Sequence, residues 1–294
     1  MKWIDSFLDY LRFERNYSGK TIGSYRVDLL QFAEYVGITD EEPDWKTVGV
    51  DAVRSWVCDL MDGRMTTATV NRKLSALRSF YRYLLREKTV EANPLRKVQG
   101  PKNKKKLPVF LKENAMDRLL DDVDFGPGFK GVRDRMIIEM FYATGMRLSE
   151  LLGLKDEDVD FSAMYIKVTG KRNKQRLIPF AEELATSMHE YIQVRDAELA
   201  VSAEVFFVGE TGKPLSPAVV REIVKRNLSK VTAQRKRSPH VLRHTFATMM
   251  LNHDAELGAI KELLGHSSLA ATEVYTHATF EELKKMYNQA HPRA

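Results

Sequence analysis

"SPHVLRHTFATMML", residues 238–251, opens with two histidines and an arginine packed into five residues of what reads as a helix. Ser238 suits the N-cap and Pro239 the first helical position, so the start is well marked. At about 100° per residue, Leu242, Phe246, Met249 and Met250 share one face, and His240, Arg243 and His244 are expected on the opposite side of the first two turns. One cation and two imidazoles then stand where the free N–H groups of a helix start already favour an anion.

The rest of the chain narrows what that anion is. With 294 residues, two domains sharing the length is the natural expectation. A composition of 44% hydrophobic and 29% charged residues is ordinary for a globular protein, and the net charge of +6 favours an acidic partner, nucleic acid first. The single cysteine, Cys58, excludes an internal disulfide and a cysteine-rich zinc site, and is expected as a small core residue in a reducing compartment. No apolar run approaches the roughly 18 residues that span a bilayer, since even "MIIEMFYA" is interrupted by Glu139. The N-terminus, "MKWIDSFLDYLRFERN", carries acids and alternates like an amphipathic helix rather than a secretion signal, so a cytoplasmic protein with no membrane insertion is expected.

The first hundred residues read as helical. "SGKTIGSYRVDLLQFAEYVG" starts at a serine cap and ends at Gly37. "TTATVNRKLSALRSFYRYLLREK" aligns Val70, Leu74, Leu77, Tyr81 and Leu84 on one face and Arg78, Arg82 and Arg86 on another, a stripe that serves equally as a solvated face or as a phosphate-binding one. Residues 96–108, "RKVQGPKNKKKLP", hold six basic residues and no acid; such a composition resists packing, and the domain boundary is set there. Beyond it, helices over 112–123, 131–145 and a short one in "MRLSELLGL" precede the strand-like "MYIKV" and "RLIPF", which flank the polar loop "TGKRNKQ". Further helices are expected at about 216–230, 239–251, 255–264, 268–277 and 279–289, the last opened by a capping box from Thr279 to Glu282. From Ile223 to His253 there are seven lysines and arginines and no acid, so both halves should present a basic surface.

Several chemistries fall away. "SGKT" and "GETGKP" lack the full P-loop spacing; His240 and His244 stand four apart, but without the glutamate of a zinc-protease helix or an evident third ligand; no GxSxG elbow is present. What survives is dispersed: Arg147 in "ATGMRLSELLGL", Lys171 in "TGKRNKQR", His240 and Arg243 in "HVLRH", His266 in "LLGHSS" and Tyr275 in "TEVYTHA". Singly, each has an ordinary structural reading, such as Arg147 pairing with Glu150.

Together, in order and spacing, they resemble the tyrosine recombinases of the phage integrase family, and within it the bacterial Xer recombinases. The resemblance runs over nearly the whole chain, and "HVLRHTFAT" followed by "LLGHSSLAATEVYTH" is its most specific part. Met249 stands where many relatives carry another histidine. The resemblance implies a mainly α fold with a small β-sheet: a helical, SAM-like core-binding domain over 1–95, a basic linker over 96–112, and an α+β catalytic domain over 113–294 whose C-terminal helix, 279–290, is exchanged between protomers. It implies Tyr275 as a nucleophile forming a 3′-phosphotyrosine bond, Arg147 and Arg243 as phosphate ligands, Lys171 as general acid, and His240 and His266 as hydrogen-bond or proton-handling partners, with His244 either structural or a support for the residues that touch the phosphate. DNA contacts are expected from Arg72, Arg78, Arg82, Lys102, Lys104, Lys105, Arg172 and Lys174. No cofactor or metal is implied. The implied partners are a double-stranded recombination site, a homo- or hetero-tetramer with a second recombinase, and a DNA translocase as a possible activator. Resolution of chromosome dimers is the role the resemblance favours; an integrase of a mobile element and an inactive DNA-binding protein are the alternatives.

Overall fold

The structure, a computed structural model, describes residues 1–39, 44–103, 109–170, 174–199, 204–265 and 277–293. The chain divides into two compact units, Met1–Lys106 and Leu107–Ala294.

The first unit is built on four helices: α1 (Lys2–Asp9), α2 (Gly19–Tyr35), α3 (Val50–Asp62) and α4 (Thr67–Arg86). Ser18 and Thr66 cap α2 and α4 by accepting from the N–H three residues on, as their short hydroxyl side chains allow. The apolar stripe of α4, Val70, Leu74, Leu77, Tyr81 and Leu84, is buried, with Phe80 packed edge-on to Phe7 and Trp45. Cys58 is exposed, contrary to the expectation of a core position. The buried stripe of α3 runs through Val53 and Trp56, and two residues past Trp56 the helix has turned about 200°, to solvent.

Residues 96–103 do not behave as a free tether. Pro94–Lys97 is a 3₁₀ turn, Val98 is buried, its carbonyl accepts from Arg78 Nη2 at 2.7 Å, and Asn71 Nδ2 donates to the carbonyl of Pro101 at 2.8 Å. Two apolar anchors, Leu95 and Val98, outweigh the cationic composition locally. On the far side, Leu111 is buried and its N–H donates to Thr245 Oγ1 at 2.9 Å, so the second unit is already structured before residue 113.

The second unit is laid around α6 (Gly128–Thr144), which follows the short α5 (Glu113–Asp117) and is buried on nearly every side. It ends at Gly145, in the left-handed conformation at φ +58°. The short α7 (Leu148–Leu152) leads into a three-stranded antiparallel sheet, β1 (Val159–Asp160), β2 (Tyr165–Thr169) and β3 (Gln175–Pro179), in the order β1-β2-β3. In the β2–β3 hairpin Lys167 faces Leu177, and the Gly170 N–H donates to the Lys174 carbonyl at 2.7 Å.

Then come α8 (Glu182–Glu198), α9 (Pro217–Leu228), α10 (Pro239–Asn252), α11 (Leu257–Leu264) and α12 (His277–Ala290). The sequence reading passed over α8, which buries Leu184, Ala185, Met188, Tyr191 and Arg195 against α6 and the Phe206 segment. The helix expected at 268–277 lies outside the described residues but for its last one, His277, where α12 begins, two residues before Thr279.

The apolar face of α12 is covered within the chain. Leu283, Tyr287 and Ala290 belong to the core, Phe280 packs edge-on to Tyr165, and Tyr287 donates to the Ala143 carbonyl at 3.1 Å. Beyond it, His291 is buried among Tyr142, Phe246 and Tyr287, and Arg293 reaches Asp121 at 2.6 Å and Glu183 at 2.7 Å. In the single chain these residues close the unit's own core, and docking of this helix on a neighbouring protomer is kept as a proposal. Among the described residues, no helix is long and apolar enough to cross a membrane.

Candidate active site

Arg147, Arg243 and one carboxylate meet where α7, β3, α10 and the end of α11 converge. Gly145 begins the arrangement: only glycine fits there, because a Cβ would stand 2.5 Å from the Phe246 ring and 2.9 Å from Leu264, at a φ that side chains rarely adopt. Its carbonyl accepts from Arg243 Nη1 at 2.6 Å, and the backbone then turns so that Arg147 becomes the N-cap of α7. Glu150, three residues on and with its side chain wholly buried, reaches back to that cap: Oε2 accepts the Arg147 N–H at 2.7 Å and Oε1 accepts Arg147 Nη1 at 2.7 Å.

A third arginine shares the carboxylate. Arg176, on the inward side of β3, donates Nη1 to Glu150 Oε1 at 2.8 Å and Nη2 to Oε2 at 2.9 Å. Burial alone would raise the Glu150 carboxyl, but the hydrogen bonds and charge of Arg176, with the main-chain and side-chain donors of Arg147, hold it at about 2.

The three guanidinium groups also divide the last carbonyls of α11 between them. Arg176 Nε donates to Leu263 O at 2.6 Å, Arg243 Nη2 to Leu264 O at 2.6 Å, and Arg147 Nη2 to Gly265 O at 2.8 Å. A helix C-terminus carries partial negative charge and unpaired carbonyls, so it is suited to gather cations. Burial, then the charges of Arg147 and Arg176, push Arg243 down to about 10, which leaves it protonated at neutral pH. Among the described residues, two guanidinium groups, those of Arg147 and Arg176, therefore stand on the Glu150 carboxylate with the Arg243 cation beside them, and Arg147, a third exposed, presents the cluster to solvent.

Arg243 departs from the sequence reading. It is 8% exposed and turned toward the core side of α10, whereas His240 and His244 share the outer face. Residue 243 sits only one helical step, about 100°, from Leu242 and beside Met250, so grouping it with the histidines overstated their common side. Burial, with His240, Arg243 and Lys236 nearby, lowers the His244 imidazole. Ser238 occupies the N-cap position but makes no side-chain cap bond; its main-chain carbonyl accepts from Val241 at 2.8 Å. Met249 is buried in the core.

Lys171, His266 and Tyr275 lie outside the described residues, as do Lys104, Lys105 and Arg172. The described hairpin does approach the cluster: a Cβ on Gly170 would stand 3.3 Å from Glu150 Oε1 and 3.8 Å from Arg147 Nη1. Lys102 and Lys174 are exposed. In the first unit, Arg72 pairs with the buried Asp28, Arg78 is engaged by the Val98 carbonyl, and Arg86 lies over the Tyr10 ring at 4.0 Å beside Glu14 and Glu87. Arg82 is exposed, with a 3.4 Å bond to the Arg78 carbonyl, so the arginine stripe is less uniform than its spacing promised. Among the described residues, no three His, Cys, Asp or Glu side chains converge as a metal site. Sequence reasoning missed Arg176; its one signal was a charged residue on the side of a strand that its neighbour Ile178 marks as inward.

Residues 109–282 match the phage integrase family, and residues 4–88 match the family described as phage integrase, N-terminal SAM-like domain. The tyrosine recombinase XerC of Chlorobaculum tepidum is 40% identical over 321 residues, covering 100% of this chain and 95% of that protein. The XerC of Pelotomaculum thermopropionicum is 40% identical over 301 residues, covering 99% and 98%. Among solved structures, the XerH recombinase bound to palindromic difH substrate in a post-cleavage complex aligns with a TM-score of 0.73 at 23% identity over 95% of this chain and 78% of that one, a likeness of fold. The chain belongs to the phage integrase family and, by its full-length match to XerC proteins, to the Xer tyrosine recombinases, enzymes that cut and rejoin DNA.

Proposed function

We propose that the protein is a site-specific recombinase in which Tyr275 attacks a DNA phosphate held by Arg147 and Arg243. The observation that carries this reading is the gathering of three guanidinium groups around the carboxylate of Glu150 among the described residues. Such an excess of fixed positive charge, largely withdrawn from water, is stabilised by a phosphate whose non-bridging oxygens accept several N–H donors at once. The benefit is greatest in the pentacovalent transition state, where charge on those oxygens peaks. A phenol with pKa near 10 is a poor nucleophile at pH 7, and the same field lowers the energy of its phenolate.

In this reading the Tyr275 oxygen bonds to phosphorus, the P–O5′ bond breaks, and Lys171 gives its proton to the departing 5′ oxygen. His240 and His266 donate to the phosphate or take the phenol proton. The phosphotyrosine retains the phosphodiester energy, so the 5′ hydroxyl of another strand can reverse the step. Four protomers on two sites exchange strands in this way through a Holliday junction, and the XerC names of the full-length relatives favour the resolution of chromosome dimers as the biological setting.

The test is covalent capture. A duplex selected by the wild-type protein from a randomised pool is nicked beside the cleavage point so that the released end diffuses away. Wild type should form a denaturant-resistant adduct in the presence of a chelator, and Tyr275→Phe should bind the duplex but form none. An adduct that persists in the Phe variant refutes the assignment of the nucleophile.

A further inference from the structure

We infer that Arg176 is a positioning residue for strand cleavage, acting on Arg147 through Glu150 and through the turn that ends α11. The inference rests on the function proposed above. A guanidinium on the inward side of a strand, 6% exposed, is costly to bury unless each of its donors is used. Here all three nitrogens are used, two on Glu150 and one on Leu263 O.

Both acceptors that aim Arg147 are set by Arg176. The first is Glu150, whose side chain has three rotatable bonds; the fork of Arg176 fixes both oxygens at once and leaves each with one further position, filled by the Arg147 N–H and by Arg147 Nη1. The second is the Gly265 carbonyl, which accepts Arg147 Nη2. Arg176 lies directly beneath that residue, since a Cβ on Gly265 would stand 3.2 Å from both Cδ and Nη1 of Arg176, and it holds the same turn by Leu263 O. Arg147 is thus oriented at two points, and one residue two positions along from the β2–β3 hairpin loop determines both. A lysine at 176 keeps the charge but cannot span two carboxylate oxygens and a carbonyl with a planar fork.

The rival reading is a plain staple of β3 to α7 and α11, in which loss of Arg176 weakens the unit without any special relation to Arg147. Non-additivity separates the two. On the nicked duplex described above, adduct formation is timed at saturating protein for wild type, Arg176→Lys, Arg147→Ala and the double variant, with DNA affinity and thermal melting measured alongside. Arg176→Lys should bind DNA within about 3-fold of wild type yet form adduct roughly 30- to 100-fold more slowly, the scale of a misplaced catalytic group. Arg147→Ala should lose about 10²- to 10³-fold, and the double variant should be no slower than Arg147→Ala alone. Losses that multiply in the double variant overturn the inference, as does an Arg176→Lys rate within about 3-fold of wild type. Should Arg176→Lys melt below the assay temperature, Glu150→Asp, which keeps the charge and shortens the reach, provides the same cycle with Arg147→Ala. Absence of any wild-type adduct is a different failure, and refutes the proposed function instead.

Discussion

Asp28 in the first unit and Glu150 in the second have the same kind of company: one buried cation and one that remains partly exposed. By side-chain exposure, Asp28 holds Lys73 at 3% and Arg72 at 43%; Glu150 holds Arg176 at 7% and Arg147 at 33%. The first cluster then closes on itself, since Lys73 also donates to Gln31 and lies over the Trp56 ring, leaving a net charge of +1. The second gains Arg243 and leans on the C-terminus of α11, so among the described residues three cations against one carboxylate leave +2. A buried carboxylate with two cations is a structural device that either unit can use. An added buried arginine, which also donates to two carbonyls, is what the proposed reading takes as preparation for an anion.

The largest expected effect tests that difference. Glu150→Gln removes the carboxylate that Arg147 and Arg176 share; breaking a buried pair costs about 3–5 kcal/mol, and adduct formation should disappear with it. Asp28→Asn should destabilise by a similar amount, read by urea unfolding, while adduct still forms once the duplex is saturated. Loss of adduct in both would erase the distinction.

Next come the exposed partners. Arg147→Ala should lower adduct formation by about 10²- to 10³-fold, roughly 3–4 kcal/mol, at nearly unchanged affinity. Arg72→Ala should weaken DNA binding and reduce its salt dependence by about one unit of slope, with the adduct rate at saturation unchanged.

A smaller pair of effects depends on pH and belongs to the second unit. Burial lowers His291 to about 4 from an ordinary 6.5, so between these values the unfolded chain binds more protons and acid destabilises the fold. Burial raises Glu139 to about 7 from 4.5, against the Ser187 hydrogen bond and Arg135; its contribution is complete below 4.5 and is lost as pH rises through 7. Each is worth at most about 3 kcal/mol and the two oppose one another across nearly the same window. His291→Gln should make stability rise as pH falls from 7 to 4.5, and Glu139→Gln should make it fall. Slopes of one sign in both variants would refute the offset. The smallest effect is expected from Cys58→Ser on the outer face of α3, within about 0.5 kcal/mol by thermal melting.

Much of this was legible in the sequence wherever a residue's local neighbours decide its fate. The capped start of α2, the apolar stripe of α4, the left-handed end of α6 at Gly145 and the β2–β3 hairpin all follow from short-range patterns. So do Arg147 and Glu150, three residues apart. What resisted reading depends on packing between distant segments. Arg176 and Glu150 are 26 residues apart, and nothing in "QRLIPF" announces a partner in "RLSELL". Spacing along the helix does not reveal that Arg243 is buried, because the carbonyls that make its burial tolerable come from residues 145 and 264, far away in sequence. α8 was missed because its buried positions include Arg195, held by Asp156 and the Phe206 carbonyl.

Gly145 carries a consequence for how such a site can be inherited. A methyl group at that position would collide with Phe246 and Leu264, and the carbonyl it contributes is what Arg243 grasps. A saturation library at this codon should therefore return glycine alone, and the variants that fail should fail in folding before they are ever tried on DNA. Part of the reaction's anchoring is in this way stored in a residue with no side chain, where drift toward a modified chemistry is blocked by steric exclusion rather than by loss of a reactive group.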